Sequence, residues 1–251
     1  MQTQNYLSYG ELAWTEPIIA PPATYESEVT YYVNLIQENA INMTQTLLHL
    51  GCGAGGYDFI FKQHFQVTGI DMSSEMLAIA RKTNPEVTYF LSDMRDFQLS
   101  ESFDVVIIPD SIDYRITPLD LQQTINCAYQ HLKPGGLLVI VAKTREEFWE
   151  NNFCYQGSQD EVQITIFENN YLPASNSSIY EATLIYLIRQ QEQLTIYTDR
   201  HILGLFSQSQ WLSGLQGAGL QVKQFRLDDV YAPFILGEGD YPMQVFVGIK
   251  S

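Results

Sequence analysis

A glycine-rich run and two aspartates have residue types and a spacing that are typical of a ligand-binding site. The run occupies residues 51–56, directly after an apolar segment, and its glycines allow the backbone to turn tightly and approach a ligand closely. Asp71 follows a second apolar segment, 20 residues after Gly51, where a carboxylate can accept hydrogen bonds from both hydroxyls of a ribose. Asp93 follows a third apolar segment, where a carboxylate can accept a hydrogen bond from the amino group of adenine. Together these features predict a nucleoside site.

Two other nucleotide sites fit the glycine-rich run less well. The dinucleotide fingerprint reads Gly-x-Gly-x-x-Gly, whereas Gly51, Gly53 and Gly55 are spaced two apart, although Gly56 also satisfies the longer spacing. A P-loop requires Gly-Lys-Ser/Thr, which this run lacks. A glycine run alone is weak evidence, so we interpret it together with Asp71 and Asp93.

Alternating strand and helix patterns predict how these residues are positioned. Short apolar segments separated by amphipathic ones indicate parallel βαβ units, in which the loops after the strands meet at the carboxyl edge of a sheet. The predicted strands are residues 47–50, 66–70, 87–91, 104–108 and 137–142. The predicted helices are residues 57–65, residues 73–82 and a segment that begins after the N-cap Thr117 and ends at residues 133–136.

The regions on either side of this core (residues 46–143) have different patterns. Residues 1–45 predict an N-terminal flap followed by a helix over residues 26–39, whose apolar stripe is Val29, Tyr32, Val33 and Ile36. Three strand-like stretches without intervening helices predict an antiparallel β insert, or lid, within residues 144–203; they are residues 162–168, 179–189 and 194–202. Residues 204–251 add a helix over 207–218 and strands over 220–227 and 243–249, which complete the core. We therefore predict one α/β domain over residues 1–251, with a Rossmann-like, doubly wound, mostly parallel seven-stranded sheet.

Five motifs, in this order, resemble the class I S-adenosylmethionine (SAM)-dependent methyltransferases. They are Leu-His-Leu-Gly-Cys-Gly-Ala-Gly at 48–55, Gly-Ile-Asp-Met-Ser-Ser-Glu-Met-Leu at 69–77, Ser-Asp-Met at 92–94, Phe-Asp-Val-Val at 103–106 and Leu-Lys-Pro-Gly-Gly-Leu at 132–137. The resemblance covers about residues 46–143 and implies SAM as cofactor. It implies SAM contacts from Gly51, Cys52, Gly53, Asp71, Met72, Met76, Asp93, Met94, Pro109 and Ser111.

Position 49 departs from the family pattern. The family has an acid two residues before the first glycine, which helps to hold the methionine ammonium group, whereas this chain has His49. A neutral imidazole can accept a hydrogen bond but is a poorer partner for a cation. Asp110 could supply the missing charge, and a packed strand-end histidine is the alternative interpretation.

The resemblance also implies methyl transfer to a small molecule by in-line displacement. This reaction needs alignment of the nucleophile and exclusion of water, but neither a metal nor a covalent intermediate. We predict catalytic or anchoring roles for three residues that follow the fourth strand, where the methyl group should point: Asp110, Asp113 and Tyr114. His201 in the insert is a further candidate. Tyr9 and Trp14 could close over the site as part of the flap.

The acceptor is less defined than the cofactor. The insert and residues 198–207 loosely resemble sugar N,N-dimethyltransferases and glycine N-methyltransferase, which leaves N- and O-methylation both open. A SAM-binding sensor or partner protein without transferase activity is the alternative function.

Composition bears on partners and location. The chain carries 29 acidic and 13 basic residues, a net charge of −16 without a basic cluster, which argues against a nucleic-acid acceptor. Its apolar segments are strand-sized and its N-terminus lacks a secretory pattern, so we expect no membrane partner and a cytoplasmic location.

The three separated cysteines and four scattered histidines predict neither disulfides nor a metal site. The oligomeric state stays open, with a homodimer as one option.

Overall fold

The computed structural model describes residues 6–174 and 178–251, which form two β-sheets and the helices that pack on them. The strands are β1 (Thr46–Leu50), β2 (Gln66–Asp71), β3 (Thr88–Leu91), β4 (Phe103–Pro109), β5 (Leu132–Ala142), β6 (Asn152–Gln159), β7 (Val162–Tyr171), β8 (Ile179–Gln190), β9 (Gln193–Gly204), β10 (Leu220–Leu227) and β11 (Met243–Lys250). The helices are α1 (Glu16–Ile19), α2 (Glu26–Asn39), α3 (Asp58–Phe61), α4 (Ser74–Thr83), α5 (Pro118–Gln130) and α6 (Gln208–Gly217).

The larger sheet has seven strands in the order β10-β11-β5-β4-β1-β2-β3. The pairs from β5 through to β3 are parallel, whereas β11 runs antiparallel to both β5 and β10. The chain moves outward from β1 to β3 and then returns to β4 on the other side of β1, so the strand order reverses there. Ligands of such sheets bind at the carboxyl ends beside this reversal. The predicted Rossmann-like, doubly wound sheet is confirmed.

Alternation of side chains along the buried strands produces two apolar layers. Leu47 packs in the layer that contains residues of α2, α3 and α4, and the next residue, Leu48, packs in the layer that contains residues of α5 and α6. The helix predicted over residues 26–39 is observed with those bounds. Thr117 caps α5 as predicted, since its side chain accepts a hydrogen bond from the backbone N–H of Asp120.

Two predicted bounds within the core are wrong. The helix predicted over residues 57–65 is α3, which ends at Phe61, because the next turns tighten: the backbone N–H groups of Gln63 and His64 bond to carbonyls three residues back. The fifth strand begins at Leu132 instead of residue 137. An irregularity in its pairing with β4, between Phe103 and Val105, accommodates the Pro-Gly-Gly segment within the strand.

The smaller sheet is the predicted antiparallel insert, but it has four strands, in the order β6-β7-β8-β9, rather than three. β6 was missed because it is an edge strand with mostly polar or partly exposed residues, which hide the usual alternation of apolar and polar positions. Isolated bridges from Thr144 to Phe206 and from Phe153 to Ile235 connect the region of this sheet to the rest of the chain. The assignment of residues 1–251 to one domain stays a prediction.

The helices of the described ranges are short relative to a bilayer. Within residues 6–174 and 178–251, no helix is both long enough and apolar enough to cross a membrane.

Candidate active site

A cavity of about 360 Å³ opens where the carboxyl edge of the large sheet faces the insert. This volume lies at the lower end of the range for small-molecule sites. The predicted site residues that line it are Gly51, Cys52, Gly53, Met76, Pro109, Asp110, Ser111, Asp113, Tyr114 and His201. Asp71, Met72, Asp93 and Met94 lie outside this lining. The N-terminal segment contributes Tyr9, as expected of a flap, whereas Trp14 is exposed and does not line the cavity.

The glycine-rich turn has two positions that require glycine for different reasons. Gly51 has φ 74°, and a Cβ atom there would overlap the side chain of Ser111. Gly53 has φ 53°, and a Cβ atom there would meet no atom within 4 Å, so this backbone faces open space. The turn is anchored because the N–H groups of Gly51 and Cys52 both donate to the carbonyl of Ile70. The turn thus presents backbone to a ligand without a covering side chain.

Asp71 joins the turn after β1 to the turn after β2. One carboxylate oxygen accepts a hydrogen bond from the N–H of Gly53 at 2.8 Å, and the other accepts one from the N–H of Ser73 at 2.8 Å. Burial raises the pKa of Asp71, although these backbone N–H groups act to lower it. Each oxygen retains a second lone pair for a ligand hydroxyl. The ribose contact itself stays a prediction.

Asp93 is held by two guanidinium groups. Arg95 donates to one of its oxygens from Nε at 2.9 Å and from a terminal nitrogen at 2.6 Å, and Arg115 donates to the other at 3.2 Å. Burial alone would raise the pKa of Asp93, but hydrogen bonds from Arg95 and the charge of Arg115 outweigh burial, and the pKa is lowered. Met94 packs near Gly51. Because much of the carboxylate is already bonded, the adenine contact stays a prediction.

The histidine at position 49 is paired with an acid from a different element. His49 Nδ1 lies 2.7 Å from an Asp58 carboxylate oxygen, and Tyr89 donates to the other oxygen at 2.9 Å. His49 and Asp58 are both fully buried. Asp110 pairs with Lys143, and its suggested compensation for His49 stays a prediction. A signal for Asp58 was present: it is the one acid in the Tyr-Asp-Phe-Ile-Phe segment that follows the glycines.

The side chains of Tyr114 and His201, two separate candidates from the sequence, are hydrogen-bonded to each other, and a chain of hydrogen bonds extends from them in both directions. The Tyr114 hydroxyl lies 2.6 Å from His201 Nδ1 and 2.7 Å from the Tyr9 hydroxyl, while His201 Nε2 lies 2.9 Å from Asp199. The ionised carboxylate of Asp199 can only accept, so Nε2 carries a proton, and in the neutral imidazole Nδ1 is the nitrogen left to accept from Tyr114. This tautomer presents Nδ1 towards the cavity side of the chain as a proton acceptor.

Ser8 and Asp199 fix the orientation of this imidazole, and neither was identified from the sequence. Asp199 accepts hydrogen bonds from both the backbone N–H and the hydroxyl of Ser8, each at 2.7 Å. Burial acts to raise the pKa of Asp199, but the hydrogen bonds from His201 and Ser8 prevail and lower it to about 2. The spacing of Asp199 and His201 was a usable signal, since residues two apart on a strand share a face.

Lys143 forms a second buried cluster beside the cavity. Its ammonium nitrogen lies 2.9 Å from Asp110 and 2.8 Å from Asp113, and Tyr180 donates to the same Asp113 oxygen at 3.2 Å. The other oxygen of Asp113 is buried without a partner among the described residues. Burial raises the pKa of Asp113 to about 6, although Lys143 opposes this. Asp110 has φ 60°, a left-handed backbone that is uncommon outside glycine.

Tyrosine rings cover much of the remaining cavity wall. Ring faces attract cations such as a sulfonium or an ammonium group. The tyrosines of the lining are Tyr9, Tyr25, Tyr57, Tyr114, Tyr180, Tyr186, Tyr231 and Tyr241.

Comparisons with known proteins find that the chain is similar to methyltransferases. A family model described as "Methyltransferase domain" matches residues 47–136. The chain is 28% identical to dTDP-4-amino-2,3,4,6-tetradeoxy-D-glucose N,N-dimethyltransferase of Saccharopolyspora spinosa, over 71% of this chain and 72% of that protein. It is 27% identical to dTDP-3-amino-3,4,6-trideoxy-alpha-D-glucopyranose N,N-dimethyltransferase of Streptomyces venezuelae, over 79% of this chain and 84% of that one.

Solved structures agree on the fold. The crystal structure of Streptomyces venezuelae DesVI superimposes with a TM-score of 0.77 at 23% identity, covering 90% of this chain and 92% of that one. The SAM-bound amino pentose methyltransferase CalS10 of Micromonospora echinaspora gives 0.74 at 19% identity, covering 90% and 92%. Each of these names is that of a methyltransferase, and none supports the alternative of a SAM-binding protein without activity.

Proposed function

We propose that the chain is a class I SAM-dependent methyltransferase and that it moves the methyl group of SAM to an amine nitrogen of a small molecule. The observation that carries this proposal is one cavity with two kinds of wall. The glycine-rich turn forms one side, and Tyr114 hydrogen-bonded to His201 forms another. The amino-sugar N,N-dimethyltransferase names of the relatives support nitrogen rather than oxygen as the acceptor atom.

The arrangement of the donor wall supports SAM as its ligand. Gly53 presents open backbone, Asp71 is fixed beside it with unused lone pairs, and the Gly51–Ser111 contact closes the base of the turn. In the proposed arrangement Asp71 accepts the ribose hydroxyls, the segment at Asp93 and Met94 borders the adenine, and the buried Asp58 supplies the charge that the family has at position 49. When bound, SAM supplies a methyl group activated on a sulfonium.

The acceptor wall can remove a proton. An amine attacks as the neutral base, and the new N-methyl ammonium then has a proton to lose. In our proposal this proton passes to His201 Nδ1 through the hydroxyl of Tyr114, and Asp199 stabilises the resulting imidazolium. Tyr9 encloses this path together with the insert and helps to exclude water. Asp110 has an anchoring role, because its pairing with Lys143 leaves it unsuited to act as a base.

We propose that the enzyme is cytoplasmic and that it does not act on nucleic acid. The net charge of −16 supports the exclusion of nucleic acid, because proteins bind phosphate backbones with basic surfaces. A homodimer stays a prediction.

Calorimetric titration with SAM and with its demethylated product, S-adenosylhomocysteine (SAH), tests the donor site. We expect both to bind with dissociation constants well below about 1 mM. Transfer is then tested by incubating the enzyme with SAM and a panel of amines and alcohols, and measuring SAH by mass spectrometry. Failure of both ligands to bind would remove the proposed function, and turnover of alcohols alone would replace nitrogen with oxygen as the acceptor atom.

A further inference from the structure

The cavity wall is unusually poor in positive charge. Its lining includes four carboxylate residues and a single Lys or Arg, Lys143. All 13 basic residues of the chain fall within residues 6–174 and 178–251, so the other twelve lie elsewhere in the part that the structure describes. The carboxylate residues of the lining are Glu16, Asp110, Asp113 and Glu168.

The one cation of the wall is already neutralised. The Lys143 ammonium group contacts Asp110 and Asp113 and has little exposure, so it cannot turn towards a second anion without breaking two ion pairs. The nearby guanidinium groups of Arg95 and Arg115 are likewise paired with Asp93, outside the cavity lining. The wall therefore offers no cation for a pyrophosphate, which proteins bind with Arg or Lys forks.

Asp113 indicates which kind of ligand group the cavity wall can bind. One of its oxygens is buried and has no hydrogen-bond partner among the described residues, although the residue lines the cavity. An unpaired buried acceptor costs free energy that a ligand N–H group recovers on binding. Glu168, across the cavity wall on β7, accepts a hydrogen bond from Tyr155 at 3.1 Å. Burial raises the pKa of both carboxyl groups, as expected for acids that lack enough positive charge around them.

Charge balance with the bound cofactor leaves room for one more cation. SAM carries one net positive charge and Lys143 carries another, so the four carboxylates of the lining exceed the positive charges by two. The attacking amine must be neutral, so it offsets neither of them. A second, protonated amino group on the acceptor offsets one.

Resting on the proposed function, we infer that the acceptor is a phosphate-free diamine or amino sugar with at least two amino groups. One amino group attacks the methyl group while the second, as an ammonium, binds Asp113 and Glu168. The new N–C bond forms as the S–C bond breaks, and the positive charge passes from sulfur to nitrogen. The nitrogen proton leaves to His201, and SAH departs as a neutral thioether.

Binding to the enzyme–SAH complex tests this acceptor class with three probes. They are deoxystreptamine, which has two amino groups and no phosphate; aminocyclohexanol, which has one amino group; and dTDP-4-amino-2,3,4,6-tetradeoxy-D-glucose, the sugar nucleotide in the name of one relative. We expect the diamine to bind at least about 10-fold more tightly than each of the other two. Tighter binding of the sugar nucleotide, equal binding of the two phosphate-free amines, or no binding of the diamine would each overturn the inference.

A substitution of similar shape that removes one charge tests the part of the cavity wall that binds the second amino group. Glu168→Gln should weaken diamine binding about 10-fold or more and leave SAH affinity unchanged. The matched control is Glu101→Gln, which removes one charge from an exposed loop outside the cavity and should change neither affinity. An equal loss in both variants, or no loss in either, would contradict the assignment. Because SAH affinity is measured separately, loss of the SAM site is distinguished from a wrong acceptor class.

Discussion

The donor wall and the acceptor wall of the cavity are held in different ways. The donor wall consists of turns that follow buried parallel strands, and it is anchored by backbone hydrogen bonds such as those from Gly51 and Cys52 to Ile70. The acceptor wall consists of side chains from the flap and the insert, and it is anchored by contacts between residues far apart in sequence, such as Ser8 and Asp199. From this difference we predict that substitutions can change binding of the methyl donor without changing the acceptor chemistry, and the reverse.

Removal of the imidazole should have the largest effect and should be confined to the acceptor wall. We expect His201→Ala to lower kcat by about 100-fold or more, because general-base assistance is lost, while SAH affinity stays within about twofold. Steady-state kinetics and calorimetry measure the two quantities. Asp199→Asn, which removes the charge that stabilises the imidazolium and disturbs the orientation of the ring, should lower kcat less than His201→Ala and alter the pH profile. A loss of SAH affinity equal to the loss of kcat would show that the two walls are coupled.

Gly51→Ala tests the donor wall at its tightest point. The new Cβ atom would overlap Ser111 at a left-handed backbone position, so we expect the turn to shift and activity to fall about 100-fold. Gly217→Ala is the matched control, because a Cβ atom there meets nothing within 4 Å. Circular dichroism should show both variants folded, and normal SAH binding by Gly51→Ala would contradict the proposed geometry.

Asp71→Ala should affect the donor wall alone and more mildly. We expect SAM affinity to weaken by about 1–3 kcal/mol, the cost of leaving ligand hydroxyls without an acceptor. The turn also loses the bond from the Gly53 N–H, so Asp71→Asn, which keeps an acceptor, serves as the comparison. Calorimetric titration with SAH measures the affinity of both variants. Unchanged affinity in Asp71→Ala would contradict the assignment of Asp71 to the ribose hydroxyls.

The smallest expected effect is a pH-dependent change in stability centred on Glu28. This carboxyl group is 6% exposed and accepts a hydrogen bond from Tyr32. Its burial raises the pKa to about 7. Because the folded-state pKa is higher than the unfolded one, its contribution is greatest below about pH 4.5 and is lost as pH rises through 7. Between pH 5.5 and 8 we expect this group to lower stability by about 2 kcal/mol, or Tm by roughly 4–8 °C.

Thermal unfolding of Glu28→Gln provides the control for this prediction. Glutamine does not titrate, so the fall in Tm between the two pH values should be smaller than in the unaltered protein. Parallel curves for the two proteins would contradict a raised pKa at Glu28.

Residues with a local signal were the ones that sequence reasoning placed correctly. The turn at Gly51 and Gly53 was predictable because glycine and a preceding apolar strand are properties of neighbouring residues. β6 lacked such a signal, and the bounds of α3 depended on tertiary packing. The pairings of Asp58 with His49 and of Lys143 with Asp113 could not be predicted from the sequence. Ion-pair partners follow from the packing of separate elements and not from spacing.

The order of strands and helices, the position of the glycine-rich turn and the resemblance to SAM-dependent methyltransferases were determined by the sequence itself, because each depends on residues within one turn or one strand of each other. The contacts among the side chains of the acceptor wall, in contrast, depend on the tertiary structure. It placed Ser8 on Asp199, Tyr114 on His201 and Lys143 between two carboxylates, because the insert and the flap reach the cavity only after the sheet has brought distant segments together. Contacts of this kind depend on strand register and on how one sheet faces another, and no local pattern of residues encodes either.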